Sequence, residues 1–153
     1  MTARAHLAAA SLALLLGCSR SAPDATPDGA VRLFLERMEL AAEDPRAMRE
    51  AYDLLGPTAR KDLEERAARA SFVQGKRVEP HTMLAAGRFG LRFRPKKMVS
   101  RIEADGAAVS ITGSDPAERA EVRCVREGPS WRIEPELPPM VQLPQRRMDA
   151  GGY

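Results

Sequence analysis

The chain contains little histidine and little cysteine, with two residues of each among 153. The histidines are His6 and His81, and the cysteines are Cys18 and Cys124. A zinc or iron site needs several such side chains at ligand spacing, and these four form no such cluster. A histidine-based triad would depend on His81 alone, because His6 lies in an N-terminal segment that has the features of a cleaved signal. The composition therefore argues against metal-dependent and histidine-based chemistry.

The sequence also lacks a long apolar run and a glycine-rich loop. The apolar run from Leu7 to Leu16 has about ten residues, whereas a membrane-spanning helix needs roughly 20. No glycine-rich loop follows a predicted strand as it does in nucleotide-binding proteins. The net charge of +3, from 24 basic and 21 acidic residues, is too small to indicate nucleic-acid binding. A pI near 9.2 is nevertheless compatible with an anionic surface as a partner.

The N-terminal segment combines a basic residue, Arg4, with an apolar run and a small residue, Gly17, which is the pattern of a secretory signal. Its end, Leu15-Leu16-Gly17-Cys18, resembles the lipobox of bacterial lipoproteins. The resemblance implies that residues 1–17 are a signal peptide, that the Cys18 thiol carries a diacylglycerol, and that the freed amine is acylated. The alternative is ordinary secretory cleavage that leaves Cys18 as a free thiol.

Ser19, and not aspartate, follows the predicted lipidation site. By resemblance to the sorting rule of enteric bacteria, this implies the periplasmic face of the outer membrane. Residues 18–25 are small, polar and interrupted by proline, so we predict a lipidated tether. With Cys18 used by the anchor, no internal disulfide is available, and we interpret Cys124 as a half-buried strand residue and not as a reactive thiol.

Hydrophobic residues at 44% and charged residues at 29% are typical of a globular protein, and the length allows one domain, which we place at 26–137. Three helices are predicted first. One begins at Thr26-Pro27-Asp28, where Thr26 can cap the helix, and runs to about Ala42. The second extends from Asp44-Pro45 to the stop signal Gly56-Pro57, and the third covers about 58–70.

Strands are predicted in the second half of the domain. Residues 88–94 alternate between apolar and basic or small side chains, which indicates a strand with one basic face. The segments 98–103 and 107–112 flank Asp105-Gly106 and predict a hairpin. The segments 119–126 and 130–134 flank Gly128-Pro129 and predict a second one. Residues 72–83 have an irregular pattern, and 138–153 are typical of a disordered tail.

Helices followed by antiparallel strands indicate an α+β domain in which the helices pack on a curved sheet. Three stretches resemble small bacterial lipoproteins of the nuclear transport factor 2-like superfamily, whose fold is also called cystatin-like or cone-like. They are the first helix from Pro27 onward, the segment Ala51–Arg60 and the strand that ends in Trp131-Arg132-Ile133. The resemblance implies a three-helix layer on a bent sheet around a conical pocket. It implies no activity, because that superfamily includes both enzymes and binding domains.

If the pocket held a catalyst, the candidates would be Tyr52, Asp53 and His81, since isomerases of this fold pair an Asp base with a Tyr-type donor. Adjacent positions on a helix point about 100° apart, so Tyr52 and Asp53 do not both face one cavity easily. We therefore interpret Tyr52 as core packing, Asp53 as a solvated residue and His81 as a surface or loop residue. The sequence predicts no catalytic residue and no cofactor.

Basic residues concentrate around the strand predicted at 88–94, and two phenylalanines lie between them. Such a surface could contact lipid headgroups or lipid A phosphates, while nucleic acid is an unsuitable partner outside the cytoplasm. The alternative is the solvated face of a sheet. The residues of this predicted anionic-surface contact are Arg88, Arg92, Arg94, Lys96, Lys97 and Arg101.

Three functional hypotheses follow from the sequence. The first is a lipid-anchored envelope protein with a non-catalytic accessory or ligand-binding domain. The second is a structural component that docks through its basic strand on an envelope protein complex or an anionic lipid surface. The third is a pocket enzyme of isomerase or dehydratase type. The first and the third differ in whether a carboxylate or His81 lines a closed apolar pocket. A pocket filled by Phe, Leu and Met side chains would exclude both catalysis and the binding of a small ligand.

Overall fold

The computed structural model describes residues 21–84, 89–137 and 140. Within these ranges the protein is an α+β domain with three α-helices followed by a four-stranded antiparallel sheet. The strand order is linear, so the sheet is open and does not close into a barrel. The α+β class predicted from the sequence is confirmed. The predictions for 1–17, Cys18, Arg88 and nearly all of the tail at 138–153 lie outside the described residues.

The first two helices begin where the sequence predicts. Helix α1 spans Pro27–Leu40, and the Oγ1 of Thr26 accepts a hydrogen bond from the Gly29 N–H at 3.1 Å. Helix α2 spans Pro45–Asp53, and the Asp44 carboxylate accepts a hydrogen bond from the Arg46 N–H at 2.8 Å. These side chains satisfy donors that the first turn of a helix leaves unpaired. A short 3₁₀ turn at Pro23–Ala25 precedes α1.

Helix α3 spans Pro57–Gln74, four residues beyond the predicted end at Ala70. It stops at Gly75, whose φ of 64° is left-handed and therefore suits glycine. The apolar stripe predicted for α3 ends at Ala70, and the last turn of the helix carries Phe72 and Val73 exposed to solvent. Part of the irregular segment predicted at 72–83 is thus helical, and a 3₁₀ turn at Pro80–Met83 follows.

The sheet consists of the two predicted hairpins side by side. Strands β1 (Lys97–Glu103) and β2 (Gly106–Thr112) form the first hairpin, and β3 (Arg119–Glu127) and β4 (Ser130–Glu134) form the second. The order is β1-β2-β3-β4, and the central pair β2 and β3 places Ala107 opposite Cys124. Both hairpin predictions are confirmed: Ala104-Asp105 joins β1 to β2, with Gly106 as the first residue of β2, and Gly128-Pro129 joins β3 to β4.

The strand predicted at 88–94 is wrong for its described part, since residues 89–94 do not belong to the sheet. The predicted alternation of burial is nevertheless present. Phe89, Leu91 and Phe93 are half-buried against the core, while Arg92 and Arg94 are exposed. The period-two pattern predicts which side chains face the core. It does not predict whether the backbone forms hydrogen bonds with a neighbouring strand. Pro95, two residues before β1 begins, has no backbone N–H and cannot donate a hydrogen bond to a neighbouring strand.

The core lies between the helices and the inner face of the sheet. Helix α1 contributes Ala30, Val31, Phe34 and Met38. The other large contributors come from the loops, α3 and the strands: Leu55, Leu63, Leu84, Val109, Ile111, Cys124, Trp131 and Ile133. Among the described residues, none that is buried is polar or charged. Predicted core residues Trp131 and Ile133 are buried, and Val122 is partly buried.

The loop between α2 and α3 is fixed to the outer edge of β4. The Ile133 N–H donates to the Leu54 carbonyl at 2.9 Å, and the Gly56 N–H donates to the Ile133 carbonyl at 2.7 Å. These two hydrogen bonds form a parallel bridge between Leu55 and Ile133. The edge of β4 is therefore occupied at its centre by the protein's own backbone.

Candidate functional site

The inner face of the sheet is filled by apolar side chains in the described part of the chain, at the place where the sequence resemblance implies a pocket. Tyr52 is half-buried against this core, as predicted, and its hydroxyl donates a hydrogen bond to the Glu64 carboxylate at 3.2 Å. Burial raises the pKa of Tyr52, and the Glu64 carboxylate raises it further. Tyr52 is therefore a protonated donor at neutral pH.

The other two pocket candidates lie apart from this bond. Asp53 is the exposed last residue of α2, and His81 is half-buried in the 3₁₀ turn at Pro80–Met83. Among the described residues no hydrogen bond joins Tyr52, Asp53 and His81 to one another. The interpretation of Tyr52 as core packing and of Asp53 as solvated is confirmed.

Cys124 is fully buried in β3, more than the half-burial that the sequence predicts. Its thiol lies 3.9 Å from the Pro27 carbonyl oxygen, to which it can donate a weak hydrogen bond. Burial raises the pKa of this thiol to about 12, and the nearby Asp28 carboxylate adds to the shift. The predicted position of Cys124 in a strand is confirmed, and because the thiolate is the reactive form, we expect this buried thiol to be unreactive.

The described surface has open grooves at the edges of the domain. One, of about 480 Å³, lies where the start of α3 meets β3 and the residues after β4, and it is lined by Asp62, Arg123, Glu134 and Glu136 among others. A second, of about 290 Å³, lies between α1 and the segment before β1, and its lining is mostly apolar. Neither groove has a nucleophile beside a base among its lining residues. We therefore treat both grooves as candidate contact surfaces.

Four of the predicted contact residues are exposed and lie within six consecutive positions, and we call them the basic segment: Arg92, Arg94, Lys96 and Lys97. Within the described residues none of the four makes an ion pair, so their charges are available to a partner. Arg101 differs, because its guanidinium lies 2.8 Å from the Glu103 carboxylate. That carboxylate raises the pKa of Arg101 further above its ordinary value. The sixth residue, Arg88, is outside the described ranges.

Two apolar side chains beside the basic segment, Leu91 and Phe93, pack against the core. Leu91 and Phe93 line one groove together with Leu35 and Met38 of helix α1. The Lys96 N–H donates to the Thr112 carbonyl at 2.8 Å, which holds the end of the segment at the start of the sheet. The backbone that carries the four cations of the basic segment is therefore held in place by these apolar contacts and by this hydrogen bond.

The N-terminal end of α1 follows the residues that the sequence predicts as a tether. Asp24, within residues that the sequence predicts as tether, pairs with Arg132 of β4 at 2.7 Å, and both side chains are less than one-fifth exposed. Arg132 also contacts Glu127 at 3.1 Å. Helix α1 itself has 14 residues, which corresponds to a length of about 21 Å. The sequence offered no signal for the Asp24–Arg132 pair, whose members are 108 positions apart.

No helix in the described part of the chain is long and apolar enough to cross a membrane. Likewise, the same residues contain no group of three or more His, Cys, Asp or Glu side chains that could hold a metal ion. Comparison of the chain with protein-family models, with curated proteins and with solved structures gives no match.

Proposed function

We propose that this protein is a lipid-anchored cell-envelope protein whose domain serves a non-catalytic accessory role. The observation that carries the proposal is the sequence Leu15-Leu16-Gly17-Cys18 after an apolar run and Arg4. Acyl chains on Cys18 would hold the domain at the periplasmic face of the outer membrane. Each buried methylene contributes about 0.8 kcal/mol, so two or three long chains make a stable anchor.

The packing of the domain supports a non-catalytic role. Apolar side chains occupy the inner face of the sheet, and burial is the main cause of the raised pKa values of Tyr52, which packs against the same core, and of Cys124 in β3. Neither group is poised to exchange a proton near pH 7. We also propose the cone-like fold of the nuclear transport factor 2-like superfamily, because three helices precede a purely antiparallel sheet with α1 against it.

Replacing the anchor residue tests the proposal directly. In Cys18→Ser we expect no incorporation of labelled fatty acid, an unprocessed precursor, and loss of the mature form from the outer-membrane fraction. Cys124→Ala is the matched control, since it also removes one cysteine but should keep lipidation and fractionation unchanged. Normal processing and membrane sedimentation of Cys18→Ser would show that the anchor is wrongly assigned. In a second arm, Ser19→Asp should move the protein to the inner membrane.

A second candidate function is docking on an anionic lipid surface through the basic segment, and the absence of ion pairs at these four exposed cations within the described residues favours it. Each Lys or Arg near such a surface contributes roughly 1 kcal/mol. The anchored chain between Cys18 and Asp24 can span at most about 22 Å. This reach is about the length of α1, so the tether is long enough for the anchor and the basic segment to touch one membrane.

The docking hypothesis is tested with the chain from Ser19 onward, without acyl chains, on vesicles of phosphatidylglycerol and phosphatidylcholine. Changing Arg92, Arg94, Lys96 and Lys97 to Gln should weaken binding by on the order of 10²–10³-fold at low salt. The control changes Arg37, Arg60, Arg77 and Arg123 to Gln, which removes the same charge from residues that are ion-paired. Equal weakening by both sets, or binding that salt does not affect, would contradict docking by the basic segment.

A further inference from the structure

The outer edge of β1 is open in the part of the chain that the structure describes. Strand β1 pairs with β2 on one side, and no described strand pairs with its other side. The edge is seven residues long and carries two exposed apolar side chains, Val99 at 50% and Ile102 at 64% exposure. A long edge with unpaired backbone groups and apolar side chains is a template for another strand.

We propose that a second copy of this chain occupies the edge, with the two β1 strands antiparallel and Ser100 opposite Ser100 on a two-fold axis. The two four-stranded sheets then join into one continuous sheet. In this register Lys97 lies opposite the partner's Glu103, and Met98 lies opposite the partner's Ile102. Each end of the paired strands thus joins opposite charges, and the exposed Ile102 gains an apolar neighbour on its own face.

Charge selects this register over its neighbours. A slip of two residues keeps every side chain on its face, because side chains alternate with period two. One such slip places Lys97 opposite the partner's Arg101, and the other places Arg101 opposite the partner's Arg101. Like charges directly opposite each other destabilise a strand pair. Only the register centred on Ser100 places opposite charges at both ends of the seven-residue edge.

The rest of the sheet allows the dimer to close. Leu54–Gly56 already bonds to the far edge of β4 at Ile133, so a second copy cannot add there without displacing the protein's own backbone. Pairing through β1 alone is isologous, and it yields a closed two-fold dimer and not a fibre. The proposed contact uses one seven-residue strand edge from each chain, and stable interfaces bury about 1,600 Å² in total, so we expect a reversible dimer.

Sedimentation equilibrium of the full chain in detergent, over a range of protein concentrations, tests the proposal. Lys97→Glu should weaken the dimer by about tenfold or more, since it converts two attractive pairs per dimer into repulsive ones. The double variant Lys97→Glu with Glu103→Lys should restore dimerisation, because the charges are exchanged but still opposite. Arg119→Glu is the matched control, since it makes the same charge change in β3, away from the edge. Circular dichroism verifies that each variant is folded.

Cross-linking tests the register independently. Directly opposite Cα atoms in an antiparallel pair lie about 4.5–5.5 Å apart, which suits a disulfide, so Ser100→Cys should form covalent dimers under mild oxidation. Two copies of Arg101→Cys would lie diagonally, roughly 7–8 Å apart, and should cross-link poorly. The parent chain, oxidised in parallel, measures any cross-linking through Cys18 or Cys124.

Three results would overturn the proposal. The first is a monomer at all concentrations, including a monomer whose β1 amides resist hydrogen exchange because another part of the chain covers the edge. The second is a dimer that Lys97→Glu does not weaken. The third is a dimer that Arg101→Cys cross-links more readily than Ser100→Cys, since that dimer would use another register or surface.

Discussion

Glu134, the last residue of β4, caps helix α3 by accepting a hydrogen bond from the backbone N–H of Ala59 at 2.9 Å. Its other carboxylate oxygen accepts from the Thr58 N–H at 3.1 Å. The residue at the usual capping position is Gly56, which has no side chain to do this. A strand residue 75 positions away therefore satisfies the donors at the start of α3 and places a negative charge at the positive end of its dipole.

Removing this cap should destabilise the protein. Glu134→Ala leaves two N–H groups unpaired and should lower the free energy of unfolding by about 1–2 kcal/mol. Glu136→Ala is the matched control, because Glu136 is an exposed glutamate two residues further on and makes no hydrogen bond or ion pair among those of the described residues. Urea unfolding, followed by circular dichroism, measures the free energy of unfolding of both variants. Equal stability of the two variants would show that water replaces the cap without cost.

The Asp24–Arg132 pair should make stability depend on pH. A hydrogen bond from the Arg132 guanidinium holds the pKa of the Asp24 carboxyl below its ordinary value of 3.8. A carboxyl whose pKa is lower in the folded state stabilises the fold above its unfolded pKa, and this stabilisation is lost as the pH falls through the folded pKa. Asp24→Asn should therefore be about 1 kcal/mol less stable than the parent at pH 7, and the difference should shrink below pH 3.8.

Urea titrations at several pH values between neutral and acid measure that difference. Asp53→Asn serves as the control, since Asp53 is exposed and makes no hydrogen bond or ion pair within the described residues. A constant gap between Asp24→Asn and the parent over the whole pH range would indicate that the loss comes from packing and not from the ion pair.

The Cys124 thiol should be inert in the folded protein. Its pKa of about 12 leaves almost no thiolate at pH 8, and its full burial excludes reagents. Labelling with a maleimide should be slow in buffer and fast in denaturant, with Cys18→Ser used to remove the other cysteine from the readout. Rapid labelling in buffer would show that β3 opens readily or that the thiol is accessible.

Two phenylalanines with opposite exposure should respond differently to truncation. Phe34 is buried in α1, and Phe34→Ala should lower the free energy of unfolding by about 3–5 kcal/mol through lost burial and a cavity. Phe72 is 90% exposed at the end of α3, and Phe72→Ser should change it by less than about 0.5 kcal/mol. Thermal or urea unfolding compares the two, and a large effect of Phe72→Ser would show that a partner or another segment covers this residue.

Local signals predicted much of the fold. The caps Thr26 and Asp44 were identifiable because each is followed by a proline in the first turn of the helix. The hairpins were identifiable because Asp105-Gly106 and Gly128-Pro129 separate segments of strand-like composition. In each case the residues that determine the structure are close together in the chain.

Contacts between residues far apart in the chain could not be predicted from local signals such as caps and turns. The sequence shows a period-two pattern at 88–94, but whether its backbone joins a sheet depends on which strand is adjacent, and none of the described strands pairs with residues 89–94. The predicted basic strand is therefore, in its described part, an irregular basic segment followed by the start of β1. Arg101 belonged to the predicted contact set, yet its local partner Glu103 reduces its availability.

The sequence by itself determined the starts of α1 and α2, the two hairpins and the α+β order, because local capping, turn geometry and side-chain periodicity act over a few residues. It also supplied the lipobox-like motif at Cys18, which lies outside the described structure. Only the tertiary structure decided that Glu134 caps α3 and, for the described residues, that the basic segment makes no ion pair and that β1 lies at an open edge of the sheet. These depend on residues far apart in the chain, whose proximity results from the packing of α1 and the sheet around one apolar core.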